Sequence, residues 1–449
     1  MQINNNLNYY YNMKKFFILV LMMLATSTAF SQGIISLMNR SDDFFKLMSE
    51  EKFKEAVDFF DPSVQSKITS EGLYELWSKL SMSIGKFENA DVVQSKTEGE
   101  FIVVVLDAKF EKDTQRFMIA YNKTEKIVGL YLQPKNNAPV YVKPAYADTL
   151  LYKEREVAIK GVKSNLVGIL TTPKKQKVYP LVVLVHGSGP ADMDETVGAN
   201  KPFKDLAAGL AAQGIASIRY VKRTLVYPGE FSGAFTVKEE VINDALTAVE
   251  LAKTLPGVEK TQIYLLGHSL GGMLAPRMAA SSLTIKGIIM VAAPAKKLAD
   301  LMVEQNNYMY AQMKDTTQAL KKVLAENLKE VEKARITTLG TMKADSVVLG
   351  LPASYWVDLN SNDQVAAAKK LTKRILVIQG GNDFQVSADD YAIWNTAIGK
   401  KSNVTMKFYP ELNHLMSVQK EKGNATQYQT PANVSAQLVT DIATWIKAK

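Results

Sequence analysis

The segment Ile263-Tyr264-Leu265-Leu266-Gly267-His268-Ser269-Leu270-Gly271-Gly272-Met273-Leu274 sets a serine within G-x-S-x-G, between an apolar run suited to a buried strand and a run with helical spacing. A serine hydroxyl is a weak nucleophile. A sharp strand-to-helix turn exposes it, and Gly267 and Gly271 leave room for the close packing such a turn demands. The helix that follows aims backbone N–H groups at the anion formed on attack. The motif alone is a weak signal, but with a strand before it and a helix after it the expected chemistry is nucleophilic attack by Ser269.

A serine nucleophile needs a base, and the chain holds three histidines: His186, His268 and His414. His268 adjoins the nucleophile inside the turn, where its ring is expected to point away from the hydroxyl, and His186 belongs to a glycine-rich loop. His414 remains, in the loop Tyr409-Pro410-Glu411-Leu412-Asn413-His414 after the last expected strand. The run Ile375-Leu376-Val377-Ile378-Gln379 leads into Gly380-Gly381-Asn382-Asp383, so Asp383 is the expected acid that fixes the His414 tautomer. Its bland alternative is an aspartate capping the following helix.

Another apolar run, Leu181 to Val185, ends in His186-Gly187-Ser188-Gly189-Pro190, whose glycines let backbone approach a substrate closely. The oxyanion donors are assigned to the N–H groups of Leu270 and Ser188, with Gly187 the alternative to Ser188. No His or Asp cluster has metal-ligand spacing and no G-x-G-x-x-G follows a strand, so neither metal nor nucleotide cofactor is needed.

These residues require a parallel sheet. From Tyr179 onward, strands alternate with helical runs: Leu181 to His186, Phe203 to Gln213, Ile215 to Tyr220, Val237 to Leu255 and Gln262 to Gly267. Later strands are expected at Gly287 to Val291, Arg374 to Gln379 and Val404 to Tyr409, with a closing helix from Ala432 to Lys447. Between Ala293 and Pro352 no strand pattern shows, and amphipathic spacing predicts a helical cap over 294–352. Its methionines and tyrosines either line a cavity or pack the cap onto the core. Residues 149–449 therefore form one α/β domain, opened by a hairpin at Arg155 to Ile159 and Asn165 to Thr171.

Residues 41–134 read differently, with helical spacing at Phe44, Phe45, Leu47, Phe53, Ala56 and Phe59, then four Val- and Phe-rich strands. A small α+β domain is expected there, joined by a linker over 135–148 that contains Pro139 and Pro144. Ahead of it, Lys14 and Lys15 precede the apolar run Phe16 to Ala25, with Ala29 and Ser31 at cleavage spacing. Residues 1–31 thus resemble a secretory signal peptide started at Met13. The run is short for a membrane span, and the mature protein is expected in the periplasm or outside the cell without a stable membrane span. With no cysteine in the chain, disulfides, a thiolate nucleophile and lipid attachment through cysteine are excluded. The net charge of +9 is dispersed, without basic runs interleaved with aromatics, so nucleic acid is not an expected partner.

At this point the chain resembles exported α/β-hydrolases of the prolyl-oligopeptidase and serine-aminopeptidase superfamily, many of them acyl or xylan esterases. The resemblance rests on His186 to Pro190, Asn200-Lys201-Pro202-Phe203, Asp205-Leu206-Ala207, Arg219-Tyr220, Lys222-Arg223-Thr224, Gly267 to Gly272, Pro352-Ala353-Ser354-Tyr355-Trp356 and Gly381-Asn382-Asp383. One departure is Val221, where similar sequences carry aspartate. Residues 41–134 are similar in outline to nuclear-transport-factor-like domains. The resemblance implies a doubly wound, mostly parallel α/β-hydrolase sheet and a carboxylic-ester hydrolase acting on a small-molecule ester or acylated glycan. Tyr355 and Trp356 are expected to contact an acyl group or a proline-like ring. A serine peptidase and an inactive binding protein are the alternatives. The sequence sets no oligomeric state.

Overall fold

The computed structural model describes residues 36–448 apart from 38, 66, 99–100, 134–140, 162 and 314–317. The expected signal peptide lies outside the described residues, as does Pro139 of the expected linker. The chain divides into two units, Met1–Asn137 and Ala138–Lys449.

In the first unit, helices over 39–49, Phe53–Val57, Pro62–Gln65 and Ser70–Ile84 precede strands β1 (Phe87–Glu98), β2 (Phe101–Phe110), β3 (Thr114–Tyr121) and β4 (Ile127–Leu132). The longest helix starts where the Thr69 hydroxyl accepts from the Gly72 N–H at 3.1 Å, meeting one of the unpaired donors of a first helical turn. The strands pair antiparallel in chain order. Along β3, Gln115, Phe117, Ile119 and Tyr121 are buried while the residues between them are less so, the alternation of a sheet covered on one face. Phe44, Phe45 and Trp77 from the helices supply the cover, with Phe45 edge-on to Phe117 at 5.0 Å.

The second unit contains β5 (Tyr152–Ile159), β6 (Leu166–Pro173), β7 (Tyr179–Val185), β8 (Ala216–Tyr220), β9 (Val258–His268), β10 (Ile285–Val291), β11 (Val347–Val348), β12 (Leu351–Pro352), β13 (Arg374–Gly380) and β14 (Val404–Tyr409). Eight of these form one sheet in the order β14-β13-β10-β9-β7-β8-β6-β5. The strands from β8 to β14 run parallel, and β6 is antiparallel to both β8 and β5. The continuous apolar run of β7 divides between the two faces. Leu181, Val183 and Val185 join one core with helices Asn243–Ala252 and Leu270–Ser281, while Val182 and Leu184 join the other with Pro202–Ala212 and Ala436–Lys447. Each such side chain contributes about 1.5–3 kcal/mol on burial. The chain leaves β7 for β8 on one side and returns to β9 on the other, and reversal of direction opens a crevice at the strand ends.

Between β10 and β13 lie helices Leu298–Met313 and Gln318–Lys333, and then a strand pair that the sequence did not suggest. β11 and β12 form a hairpin of two residues a side, turned by Leu349 (φ 47°) and Gly350 (φ 77°). Two successive positive φ values mark the two-residue turn whose twist suits a hairpin, and strands this short carry no periodicity. The closing helix begins at Ala436 rather than Ala432, because the Ala432 and Val434 N–H groups donate to Asn200 and Asp205. No helix among the described residues is long and apolar enough to cross a membrane.

Candidate active site

Ser269 sits between the end of β9 and helix Leu270–Ser281, with φ 52° and ψ −118°. A side-chain-bearing residue in that region costs on the order of 1–3 kcal/mol, and the surroundings hold it there. The Ser269 N–H donates to the Val291 carbonyl at 2.9 Å, and its own carbonyl accepts from Met273 N–H. The two glycines allow this packing: a Cβ on Gly267 would fall 2.2 Å from the Gly271 oxygen, and one on Gly271 would fall 2.4 Å from the Val185 oxygen.

His414 Nδ1 lies 2.8 Å from Asp383 Oδ2, across 31 residues of chain. Asp383 is fully buried, yet its carboxylate is fully used. Oδ1 accepts from the N–H groups of Gln385 (2.8 Å) and Val386 (2.9 Å), and Oδ2 accepts from His414 and, at 3.2 Å, from Gln379 Nε2. With Oδ2 of the carboxylate as acceptor, Nδ1 of His414 is the donor in this contact and Nε2 is left as an acceptor. The His414 loop is braced by Asn413, whose Oδ1 accepts from the Leu415 and Ser417 N–H groups.

Ser269 and His414 line one cavity of about 570 Å³, together with Ser188, Leu270, Met302 and Trp356. No hydrogen bond joins the two side chains among the described residues. Catalytic contacts commonly tighten only when substrate is bound.

The other two histidines are chemically occupied. His186 donates from Nε2 to the Asp192 carbonyl (2.9 Å), and burial pushes it down to about 4, so it stays neutral. His268 lies between two oxygens: Glu195 Oε2 is 3.0 Å from Nδ1, and the His414 carbonyl is 2.9 Å from Nε2. Oε2 approaches off the N–H axis, so the Glu195 contact is an ion pair more than an aligned hydrogen bond. Burial alone would lower His268, but the Glu195 charge, the Glu195 side-chain contact and the His414 carbonyl together raise it. Burial works against the Glu195 anion too, and His268, with His186 and the Gly187 N–H, more than offsets it. With Nε2 donating to the His414 carbonyl and Nδ1 facing the Glu195 carboxylate, neither nitrogen of His268 is free to serve Ser269 as a base.

Glu195 also engages one of the two oxyanion candidates. Its Oε1 accepts the Gly187 N–H at 2.7 Å, whereas the N–H groups of Ser188 and Leu270 donate to no protein group among the described residues. The expectation that Tyr355 and Trp356 act as a pair on substrate needs correction. Tyr355 is buried, does not line the cavity, and donates its hydroxyl to Glu240 Oε2 at 2.6 Å. Trp356 does line the cavity, with its indole N–H fixed on the Val348 carbonyl at 2.8 Å. On a helix at adjacent positions the two rings diverge, which a dipeptide motif does not reveal. Val221, where similar sequences carry aspartate, is buried in the apolar core.

Sequence reasoning missed Glu195 and Gln379 as partners of the site. The signal available was a cluster of acids, Asp192, Asp194 and Glu195, shortly after the glycine-rich loop.

A family model described as serine aminopeptidase, S33, matches residues 176–421, and one described as a protein of unknown function, DUF3887, matches 41–130. Esterase EstD of Thermotoga maritima is 33% identical over 403 residues, which are 90% of this chain and 93% of that protein. Among solved structures, Est1E from Butyrivibrio proteoclasticus is similar over 66% of this chain and 99% of its own, with 18% identity and a TM-score of 0.42. A puromycin hydrolase is similar over 80% of this chain and 47% of its own, with 11% identity and a TM-score of 0.42.

Proposed function

The chain belongs to the hydrolase family described as serine aminopeptidase, S33, and on that premise we propose that it cleaves carboxylic esters through an acyl-enzyme on Ser269. The observation that carries this reading is the 2.8 Å contact of His414 Nδ1 with Asp383, which leaves Nε2 unprotonated on a ring that shares a cavity with the Ser269 hydroxyl. As Ser269 Oγ bonds to the ester carbonyl carbon, His414 Nε2 takes its proton, and the carbonyl oxygen becomes an anion. The N–H groups of Ser188 and Leu270 receive that anion, each worth about 3 kcal/mol in the transition state. The C–O bond then breaks, the alcohol leaves with the proton from His414, and water repeats the sequence to free the acid.

Ester in preference to peptide is supported by the 33% identity to an esterase and by the charges around the cavity. An aminopeptidase must hold the ammonium of its substrate. Glu195 is the one carboxylate among the described residues lining this cavity, and His268 and Gly187 already engage it. Met302 and Trp356 instead offer an apolar wall suited to an acyl chain. The substrate class is a neutral small-molecule ester or an acylated glycan, and the signal-like leader supports a periplasmic or extracellular setting.

A panel of p-nitrophenyl esters against aminoacyl p-nitroanilides tests the reading. Turnover of acetate to hexanoate esters with negligible anilide cleavage is expected, and fast anilide turnover without ester cleavage would overturn it. N-terminal sequencing of protein from the producing cell, expected to begin near Gln32, tests export.

A further inference from the structure

Strand β8 and the residues just after it supply three cations in quick succession, Arg219, Lys222 and Arg223, and all three are buried. Arg219 pairs with Asp194 (2.8 Å) and Glu154 (3.0 Å), and Arg223 grips both oxygens of Asp244 at 2.8 and 3.1 Å. Arg223 also donates to the main-chain carbonyl of Ser164 at 3.0 Å, and none of these contacts reaches the glycine-rich loop after β7. Lys222 differs. Its ammonium lies 2.7 Å from Glu240 Oε1 and 2.9 Å from the main-chain carbonyl of Gly187, with Lys222 and Glu240 side chains only 3% and 5% exposed. Tyr355 completes the cluster by donating to the other Glu240 oxygen.

The Gly187 carbonyl is one end of the peptide whose other end is the Ser188 N–H. In a planar trans peptide the C=O and N–H point in opposite directions, so fixing the oxygen fixes the direction of the hydrogen. The loop carries glycine at 187 and 189, with Gly189 at φ 80°, and such a segment has little intrinsic resistance to rotation of its peptides. A Cβ built on Gly187 would lie 3.2 Å from the Ser269 Cβ, so this peptide passes directly beside the nucleophile. A buried ammonium on the oxygen also polarises the amide and strengthens its N–H as a donor. Stability does not explain the arrangement well, since a buried ion pair is often replaceable by neutral groups at little cost.

We propose that Lys222, held by Glu240 and Tyr355, is a positioning residue for the oxyanion hole: its ammonium anchors the Gly187 carbonyl and thereby aims the Ser188 N–H at the developing anion. The proposal rests on the reading of Ser269 as nucleophile and Ser188 as donor. Glu195 holds the preceding peptide through the Gly187 N–H, so both amide groups of Gly187 are tied down by buried charges.

The test begins with p-nitrophenyl acetate turnover by the parent and its loss in Ser269→Ala, which decides the underlying reading by itself. With that in hand, the double variant Lys222→Met/Glu240→Gln removes both charges together and so avoids stranding an unpaired carboxylate. It is expected to melt near the parent, with KM within about twofold and kcat lowered on the order of tenfold to a hundredfold. Affinity for a phenylboronic acid, which forms a tetrahedral adduct on the serine, should fall by the same factor. A double variant that melts like the parent and keeps its kcat and boronate affinity overturns the proposal. Should that variant fail to fold, Tyr355→Phe decides: it loosens Glu240 outside the cavity and is expected to lower kcat a few-fold at unchanged KM, and an unchanged kcat overturns the proposal.

Discussion

His414 Nδ1 and Asp383 Oδ2 meet at 2.8 Å while the aspartate, wholly buried, also accepts two backbone N–H groups. That carboxylate holds the imidazole in the one tautomer able to accept a proton from serine. Asp383→Asn would present either an N–H or a weaker acceptor to Nδ1 and would favour the wrong tautomer. The expected result is a loss of kcat on the order of 10³- to 10⁴-fold for ester hydrolysis with the fold retained by circular dichroism. A kcat within tenfold of the parent would separate Asp383 from the reaction.

The nucleophile turn has no room for side chains at its glycines. In Gly271→Ala the new methyl would sit 2.4 Å from the Val185 oxygen and 2.7 Å from the His186 oxygen, both backbone atoms beside the glycine-rich loop. The variant is expected to lose about 1–3 kcal/mol of stability in urea unfolding and most of its esterase activity, since the relief must come from the loop that carries Ser188.

The buried pair of His268 and Glu195 makes a claim about charge. Burial disfavours the imidazolium, but Glu195 raises His268 above its ordinary value. Its stabilising contribution is therefore complete below the unfolded-state value and is lost as pH rises through the elevated folded one. NMR titration should find the His268 imidazolium persisting above pH 6.5. In Glu195→Gln that titration should move downward, because burial remains after the charge that opposed it has gone.

His186 has the opposite sign. Burial, aided by the nearby Lys222 and opposed by Glu195 and Asp192, lowers it from 6.5 to about 4. Between those values the unfolded chain binds the proton more readily, so falling pH favours unfolding, with about 3 kcal/mol lost once pH passes below the folded value. In His186→Gln, which can still donate to the Asp192 carbonyl, this share of the acid sensitivity should vanish. The check is the difference between the two proteins' urea stabilities at pH 7 and pH 4.5.

Much of the site was legible because its signals are local. A strand, a turn with two glycines and a helix occupy one continuous stretch around Ser269, and the bases and acids available are few: with three histidines in the chain, elimination reached His414. The doubly covered sheet announced itself through runs such as Leu181 to Val185, whose residues feed both cores. What stayed hidden depends on distance in the chain. Nothing near Glu195 says that it meets His268, 73 positions on, and nothing near Tyr355 says that its hydroxyl is spent on Glu240 rather than lining the cavity. The Lys222 ammonium belongs to the same class: a basic residue after a strand ordinarily faces water, and only the fold places this one on the Gly187 carbonyl.

The central claim is that Ser269 is the atom donor to the acyl-enzyme, and a fluorophosphonate probe reads it directly. Mass spectrometry of the digested adduct should find the label on the peptide that carries Ser269, with the labelling rate collapsing in Ser269→Ala and in His414→Ala. A protein that takes no label, or that is labelled equally after Ser269→Ala, contradicts the account.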